Sequence, residues 1–271
     1  MDKFSYIKKI YNSSFSKYLP GFLRKKLLKD NQITFIPTKL KKLPDHNYPT
    51  EDSLHFQENL IKDYNNSGKI SFNSFFDLKK ILHEKFDQNL NFNFLDFGGD
   101  KIDLYLDITK DFKNINYYLI NQKKINDIFK DIKKRHNFNN LVVIDDVSKI
   151  KNYNYDFVFF GSSLQYLKNY EDVLSVILPK TKKFILFSAT HFFSSKQLLK
   201  DIVVKQLNYL PKTYFLYFFN LENIKSIFLS YNFKKDFDLP NENFPSNFST
   251  FNDLNLENIS YRNILFSKKT I

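Results

Sequence analysis

The chain has 271 residues, of which 42% are hydrophobic and 18% aromatic, enough for one large domain, or a domain with an appendage, around a substantial core. It contains no cysteine, which excludes disulfides, thiolate metal sites and cysteine nucleophiles, and its five histidines form no HxH or HExxH pair, so no metal is expected. The formal charge of +12 suggests an anionic partner, but 38 of the 41 basic residues are Lys and only Arg24, Arg135 and Arg262 are Arg. A genome biased toward A/T-rich codons accounts for that skew more simply, and nucleic-acid readers lean on Arg, so the charge alone gives weak support to a nucleic-acid partner.

Along residues 4–28, apolar side chains from Phe4 and Ile7 to Phe22 and Leu23 recur at helical spacing between lysines, with a break at Pro20-Gly21. Two short amphipathic helices are predicted. They read either as packed on the main domain or as resting on an anionic membrane surface, a peripheral contact through residues 1–30. No secretory signal is evident, and no apolar run approaches the about 20 residues of a membrane span, so the expected location is the cytoplasm. Residues 31–50, with Pro37, Pro44 and Pro49, read as an extended linker, and 51–88, from a start at Thr50 or Asp52, as helical. The first domain boundary is thus drawn with a helical extension over 1–90 and an α/β domain over 91–271.

From residue 92 the rhythm is strand then helix. FNFLDF (92–97), NYYLI (116–120), LVVID (141–145), YDFVFFG (155–161) and KFILFSA (183–189) are short, apolar and mostly β-branched or aromatic, as strands buried on both faces of a parallel sheet are. QKKINDIFKDIKKRH, YEDVLSVILPK and SSKQLLKDIVVKQL read as helices between and after them. LENIKSIFLSYNF reads as a further helix, and KKDFDL and SYRNILFSKK as two closing strands forming an antiparallel edge pair. The alternation predicts a doubly wound, Rossmann-like sheet, mostly parallel and seven-stranded. The aromatic stretch YLPKTYFLYFF (209–219) reads as core or as a pocket wall. In such sheets ligands bind beyond the carboxyl ends of the strands, beside the first strand, where Gly98-Gly99 follow Asp96. Two of only five glycines stand there, where backbone must turn tightly or touch a ligand.

LDFGGD, YYLINQ, LVVIDD, YDFVFFGSSLQYLKNYEDVL and KFILFSATHFF, in this order, resemble the class I S-adenosylmethionine-dependent methyltransferases. More narrowly they resemble a family of methyltransferases encoded in bacterial surface-polysaccharide gene clusters, whose members show LDFGG, VEQ, SSxLQYL and RTPF at the corresponding places. The resemblance implies S-adenosylmethionine as cofactor and a small-molecule or glycan acceptor. It further implies that Asp96, Gly98 and Gly99 face the cofactor's methionine part, that Asn121 stands at the ribose, and that Asp145 or Asp146 lies near the adenine. Gly161, Ser162 and Ser163 would line the cofactor's inner edge, and Gln165, Tyr166 and Thr190 the acceptor pocket. Three departures stand out. Asp100, Lys101 and Ile102 follow Gly99 where the family has further glycines. Asn121 replaces the acid that would accept both ribose hydroxyls, a loss of about 1–3 kcal/mol of binding. Ala189-Thr190-His191-Phe192 replaces RTPF and removes its arginine.

Methyl transfer requires chiefly alignment of acceptor, methyl and leaving sulfur, and a base only for a hydroxyl or protonated amine acceptor. His191, past the fifth strand, is the candidate base, against a plain loop histidine bonded to backbone. Tyr166 reads as orienting an acceptor or as capping the sheet. Three functions follow: transfer of a methyl group to a sugar or nucleotide-sugar of surface-polysaccharide synthesis, a catalytically silent methyltransferase-like scaffold, or a methyltransferase fold acting on RNA.

Overall fold

A computed structural model describes residues 33–45, 53–70, 78–195, 197–207, 213–241, 246–254 and 256–269. The predicted helices of 4–28 and the helix start at Thr50 or Asp52 lie outside the described residues. Strand β1 (Ile33–Pro37) falls within the predicted linker, and helices α1 (Leu54–Ser67) and α2 (Leu78–Lys85) follow. The Ser53 hydroxyl caps α1 by accepting from the Phe56 N–H at 3.1 Å, and Gly68, at φ +65°, ends it.

The α/β region runs β2 (Phe92–Phe97), α3 (Ile102–Asp111), β3 (Ile115–Ile120), α4 (Lys123–His136), β4 (Leu141–Ile144), β5 (Tyr155–Gly161), α5 (Tyr170–Ile177) and β6 (Thr181–Ser194). It continues with β7 (Ile202–Leu207), β8 (Thr213–Asn220), α6 (Leu221–Ser230), β9 (Phe233–Pro240), the two-residue β10 (Ser246–Asn247) and β11 (Glu257–Lys268). Strands β4, β3, β2, β5 and β6 are parallel neighbours in that order. β11 then pairs antiparallel with β6, and β9 antiparallel with β11. These seven strands are the expected Rossmann-like sheet with its antiparallel edge.

Two features depart from the expectation. The segment 202–207 is a strand and not the end of a helix, since Ile202, Val203 and Val204 place branched side chains on an extended backbone that pairs antiparallel with β8 and with β1. β6 is fourteen residues long, far beyond the predicted 183–189. It parts from β5 after Ser188, turns at Ala189, whose φ is +50°, keeps β11 as its partner as far as Ser194, and on its other side pairs with β8 at Phe192 and Phe193. A second, mixed sheet of β10, β1, β7 and β8 is thereby continuous with the first, so at least eleven strands stand where seven were expected. Of the 209–219 stretch, the described part is β8, and Leu216, Tyr217, Phe218 and Phe219 are buried in it, the core reading.

Two apolar layers cover the faces of the main sheet, one around Phe160, Phe187 and Phe266, the other around Phe94, Phe129 and Phe157. Leu60 and Ile61 of α1 and Leu78 of α2 belong to the second layer, so residues on both sides of position 90 share one core. A third cluster, around Phe35, Phe193 and Phe218, lies under the second sheet.

The point where β6 changes sheets is fixed by Asn263 of β11, which is 2% exposed. Its Oδ1 accepts from the Ser188 hydroxyl at 3.0 Å, the Ala189 N–H at 3.1 Å and the Asn241 side-chain amide at 3.3 Å. Asn263→Leu, which removes the acceptor shared by these buried donors, should lower the unfolding free energy by roughly 1–3 kcal/mol, read as a lower urea midpoint at unchanged slope.

Candidate functional site

The parallel strands end at one edge, and there a cavity of about 530 Å³ opens. Asp96, Gly98 and Gly99 at the end of β2, Asn121 after β3, and Gly161, Ser162 and Ser163 at the end of β5 line it, as does Tyr166 beyond them. Eight residues singled out in the sequence are thus brought together. The cavity extends from the glycine turn to the second sheet, where Ile33 and Gln206 face it, and Tyr261 of β11 joins the same wall.

The glycines are required first by the chain's own packing. Gly98 has φ +85°, and a Cβ there would lie 2.4 Å from the Cβ of Ser163, whose hydroxyl donates to the Phe97 carbonyl at 2.6 Å. A Cβ on Gly99 would lie 2.0 Å from Oδ2 of Asp96. Gly161 gives room to the ring of Phe159, 2.7 Å from where its Cβ would stand. Ser162, at φ +54°, keeps its N–H bonded to the Ser188 carbonyl at 2.9 Å.

Asp96 is 1% exposed and accepts at Oδ2 from the Tyr117 hydroxyl at 2.8 Å. Burial pushes its carboxyl up to about 7; the Tyr117 hydrogen bond opposes that rise and the charge of Asp100 adds to it. Asn121 does not hold its amide toward the cavity alone. Its Nδ2 donates to the carbonyls of Gly98 at 3.0 Å and Gly99 at 2.7 Å, while its Oδ1 accepts from the Gln122 N–H at 2.7 Å.

Five expected site residues are not brought to the cavity. Asp145 sits on the surface, paired with Lys130 and, at 3.2 Å, with Lys149, and these bonds hold its carboxyl below the ordinary range. Asp146 caps the 3-10 turn Val147–Asn152 by accepting from the Ser148 N–H at 2.7 Å. Gln165 is buried and donates to the Ser162 hydroxyl at 2.9 Å, with its Oε1 unpartnered. Thr190 is buried and donates to the Ser188 carbonyl at 3.3 Å. His191 is wholly buried among Phe35, Phe218 and Tyr261, its ring stacked on Phe218 at 4.6 Å, and neither ring nitrogen has a partner. Burial pushes its imidazole well below the usual range, so it stays neutral in place.

Sequence reasoning missed Tyr117, Gln57, Gln206 and Tyr261. Gln57 of α1 is buried, donates from Nε2 to the Asp100 carbonyl at 2.7 Å and accepts at Oε1 from the Ile102 N–H at 2.9 Å. Gln206 accepts from the Tyr166 hydroxyl at 3.1 Å. Tyr117 alone carried a local signal, because it pairs with Phe94 and shares a sheet face with Asp96 two residues on. Among the described residues no helix is long and apolar enough to cross a membrane, and no group of three or more His, Asp or Glu is placed to hold a metal.

No protein-family model matches the chain, and no curated protein matches its sequence. Solved structures with similar chain paths include the following, each distant in sequence. The N-terminal domain of EvdMO1 with S-adenosylhomocysteine bound is 12% identical, with a TM-score of 0.48 over 72% of this chain and 80% of that one. The 1,6-didemethyltoxoflavin N1-methyltransferase of Burkholderia thailandensis is 9% identical, with a TM-score of 0.47 over 87% of this chain and all of that one. The O-methyltransferase segment of StiE is 14% identical, with a TM-score of 0.49 over 72% of this chain and 74% of that one. The fold class rests on the sheet itself, Rossmann-like, mostly parallel with an antiparallel edge, and with its cavity beyond the ends of the parallel strands.

Asp96 gives a pH signature with a fixed sign. Its folded value near 7 stands above the 3.8 of an unperturbed carboxyl, so the folded state holds the extra proton between those values and stability falls as pH rises through 7. Asp96→Asn, which keeps an acceptor for Tyr117, should gain roughly 2–3 kcal/mol relative to wild type between pH 5 and pH 8, measured by urea unfolding at each pH.

Proposed function

We propose that this chain is an S-adenosylmethionine-dependent methyltransferase acting on a sugar or nucleotide-sugar of surface-polysaccharide synthesis. One observation carries the reading: the cavity of about 530 Å³ connects the Gly98-Gly99 turn to the Tyr166–Gln206 pair beyond the ends of the parallel strands. That volume suits a small-molecule site, and it has two chemically distinct ends. At the turn, Asp96, Asp100 and Asp103 line the wall beside Lys101, a donor set that fits a ligand bearing ammonium and sulfonium charges. At the other end, two phenols, one amide and the side chain of Ile33 suit a neutral ring with hydroxyl groups.

When bound, the cofactor supplies an already activated methyl group. The chain contributes position. The turn and its carboxylates hold the charged partner, Tyr166 and Gln206 orient the acceptor by hydrogen bonds, and Ile33, Ile120 and Leu167 exclude water from the line of transfer. His191 is buried behind Tyr261 and does not line the cavity, so it is assigned no proton transfer.

A second reading, a catalytically silent binding or scaffold protein of a glycan-assembly system, is favoured by one observation. The Asn121 amide, at the expected ribose position, is engaged with its own turn, and Asp145, expected near the adenine, is held by lysines on the surface.

Calorimetric titration with S-adenosylhomocysteine separates the two. Methyltransferase function predicts a dissociation constant in the micromolar range, lost in Gly99→Arg, whose side chain would collide with the Asp96 carboxylate. Affinity should rise with pH through 7, because the ammonium group of the ligand favours ionised Asp96, and Asp96→Asn should flatten that rise. Absence of binding by the wild type would leave the scaffold reading. A labelled methyl group carried from S-adenosylmethionine into an envelope glycan fraction, dependent on the protein, would support the sugar acceptor; a label found only elsewhere would overturn it.

A further inference from the structure

Three consecutive carbonyl groups in the glycine turn are held by side-chain amides. Asn121 Nδ2 donates to those of Gly98 and Gly99, at 3.0 and 2.7 Å, and Gln57 Nε2 donates to that of Asp100 at 2.7 Å. Gln57 also accepts the Ile102 N–H at 2.9 Å, so one buried amide straddles the start of α3 as a neighbouring strand would. Its own helix is far away in sequence, and it reaches the turn because α1 packs its Leu60 and Ile61 in the same apolar layer as Ile102.

We infer that Gln57 and Asn121 are positioning residues for the cofactor turn, Asn121 acting there in place of a ribose contact. The physical argument is the planar trans peptide. When the carbonyls of residues 98, 99 and 100 point at the two amides, the N–H groups of Gly99, Asp100 and Lys101 point the opposite way. These residues line the cavity, so the amides fix which face of the backbone a ligand meets. Asp100 and Lys101 stand where glycines would let the turn find its shape through positive φ, and side-chain amides supply that shape from outside. An acid at 121 would reverse the effect: a carboxylate has no donors and would repel the same two carbonyl oxygens.

This inference rests on the cavity being a cofactor site, and the failure of one is told from the failure of the other by two readouts. The experiment compares wild type, Asn121→Asp, Gln57→Met and Gln57→Glu by calorimetry with S-adenosylhomocysteine and by NMR relaxation of the Gly99 and Asp100 amides in the free protein. The expected result is at least a tenfold loss of affinity in Asn121→Asp and in Gln57→Met, a smaller loss in Gln57→Glu, which keeps the acceptor for Ile102, and lowered order parameters at Gly99 and Asp100. Tighter or unchanged binding in Asn121→Asp would assign that residue to the ribose and overturn the inference. Unchanged affinity and relaxation in Gln57→Met would overturn it for Gln57; if that variant does not fold, unchanged values in Gln57→Glu do so. Should the wild type bind no S-adenosylhomocysteine, the proposed function fails while the relaxation data alone decide the positioning roles: looser turn amides support them, and unchanged amides overturn them.

Discussion

The carboxylate of Asp96 fills the space that any side chain at residue 99 would enter, and most of the site follows from that exclusion. Because 99 is glycine, β2 can end with a buried acid tucked beneath its own turn. Because 98 is glycine, Ser163 at the end of β5 can close against the same turn and bond the Phe97 carbonyl. The ends of the two central parallel strands are locked together by small groups, and the cavity begins where that contact stops. The arrangement buries a carboxyl, at a cost that its proton and the Tyr117 hydroxyl share. The glycine pair therefore makes room for the protein before it makes room for any ligand.

A second constraint builds the other end of the cavity. β6 pairs with β5 through Ser188, turns at Ala189 and continues as a partner of β11 and β8. A strand that ended at the sheet edge would leave the cavity open beyond Tyr166. Carried onward, it anchors the second sheet, whose β7 brings Gln206 to the Tyr166 hydroxyl, while β11 brings Tyr261 to the same wall. The Asn263 side chain holds the corner through Ser188 and Ala189, so a residue outside the cavity sets the spacing of groups within it.

The main sheet was legible because its strands are nearly continuous apolar runs, and the site's first half because its residues sit at strand ends in one order. Helix α3 carries no such signature, since its start at Ile102 follows the glycine turn with no capping side chain to announce it. The second sheet was hidden for a different reason: LLKDIVVKQL carries apolar residues at both helical and strand spacing, and the pairing with β1 and β8 that decides between them is remote in sequence. With β7 misread, Gln206 had no face to belong to. Gln57 was illegible altogether, because an amide that bonds backbone 43 residues away leaves no local pattern. His191 shows the opposite failure, a residue whose position after a strand suggested chemistry while the packing of Phe35, Phe218 and Tyr261 around it encloses it.

Charge separates the molecule from its site. The chain carries +12 overall, yet the described wall at the turn holds three aspartates beside one lysine. Net charge governs long-range encounter, whereas binding is decided over a few ångströms, where local carboxylates outweigh distant lysines screened within about 10 Å at ordinary salt. A polyanion drawn to this surface would meet like charge at the cavity, which weighs against an RNA substrate entering there. A small ligand with cationic groups at one end and a neutral ring partner at the other meets complementary chemistry at both. The ligand is thus read from the few residues that the ends of β2, β3 and β5 gather together, and not from the overall charge.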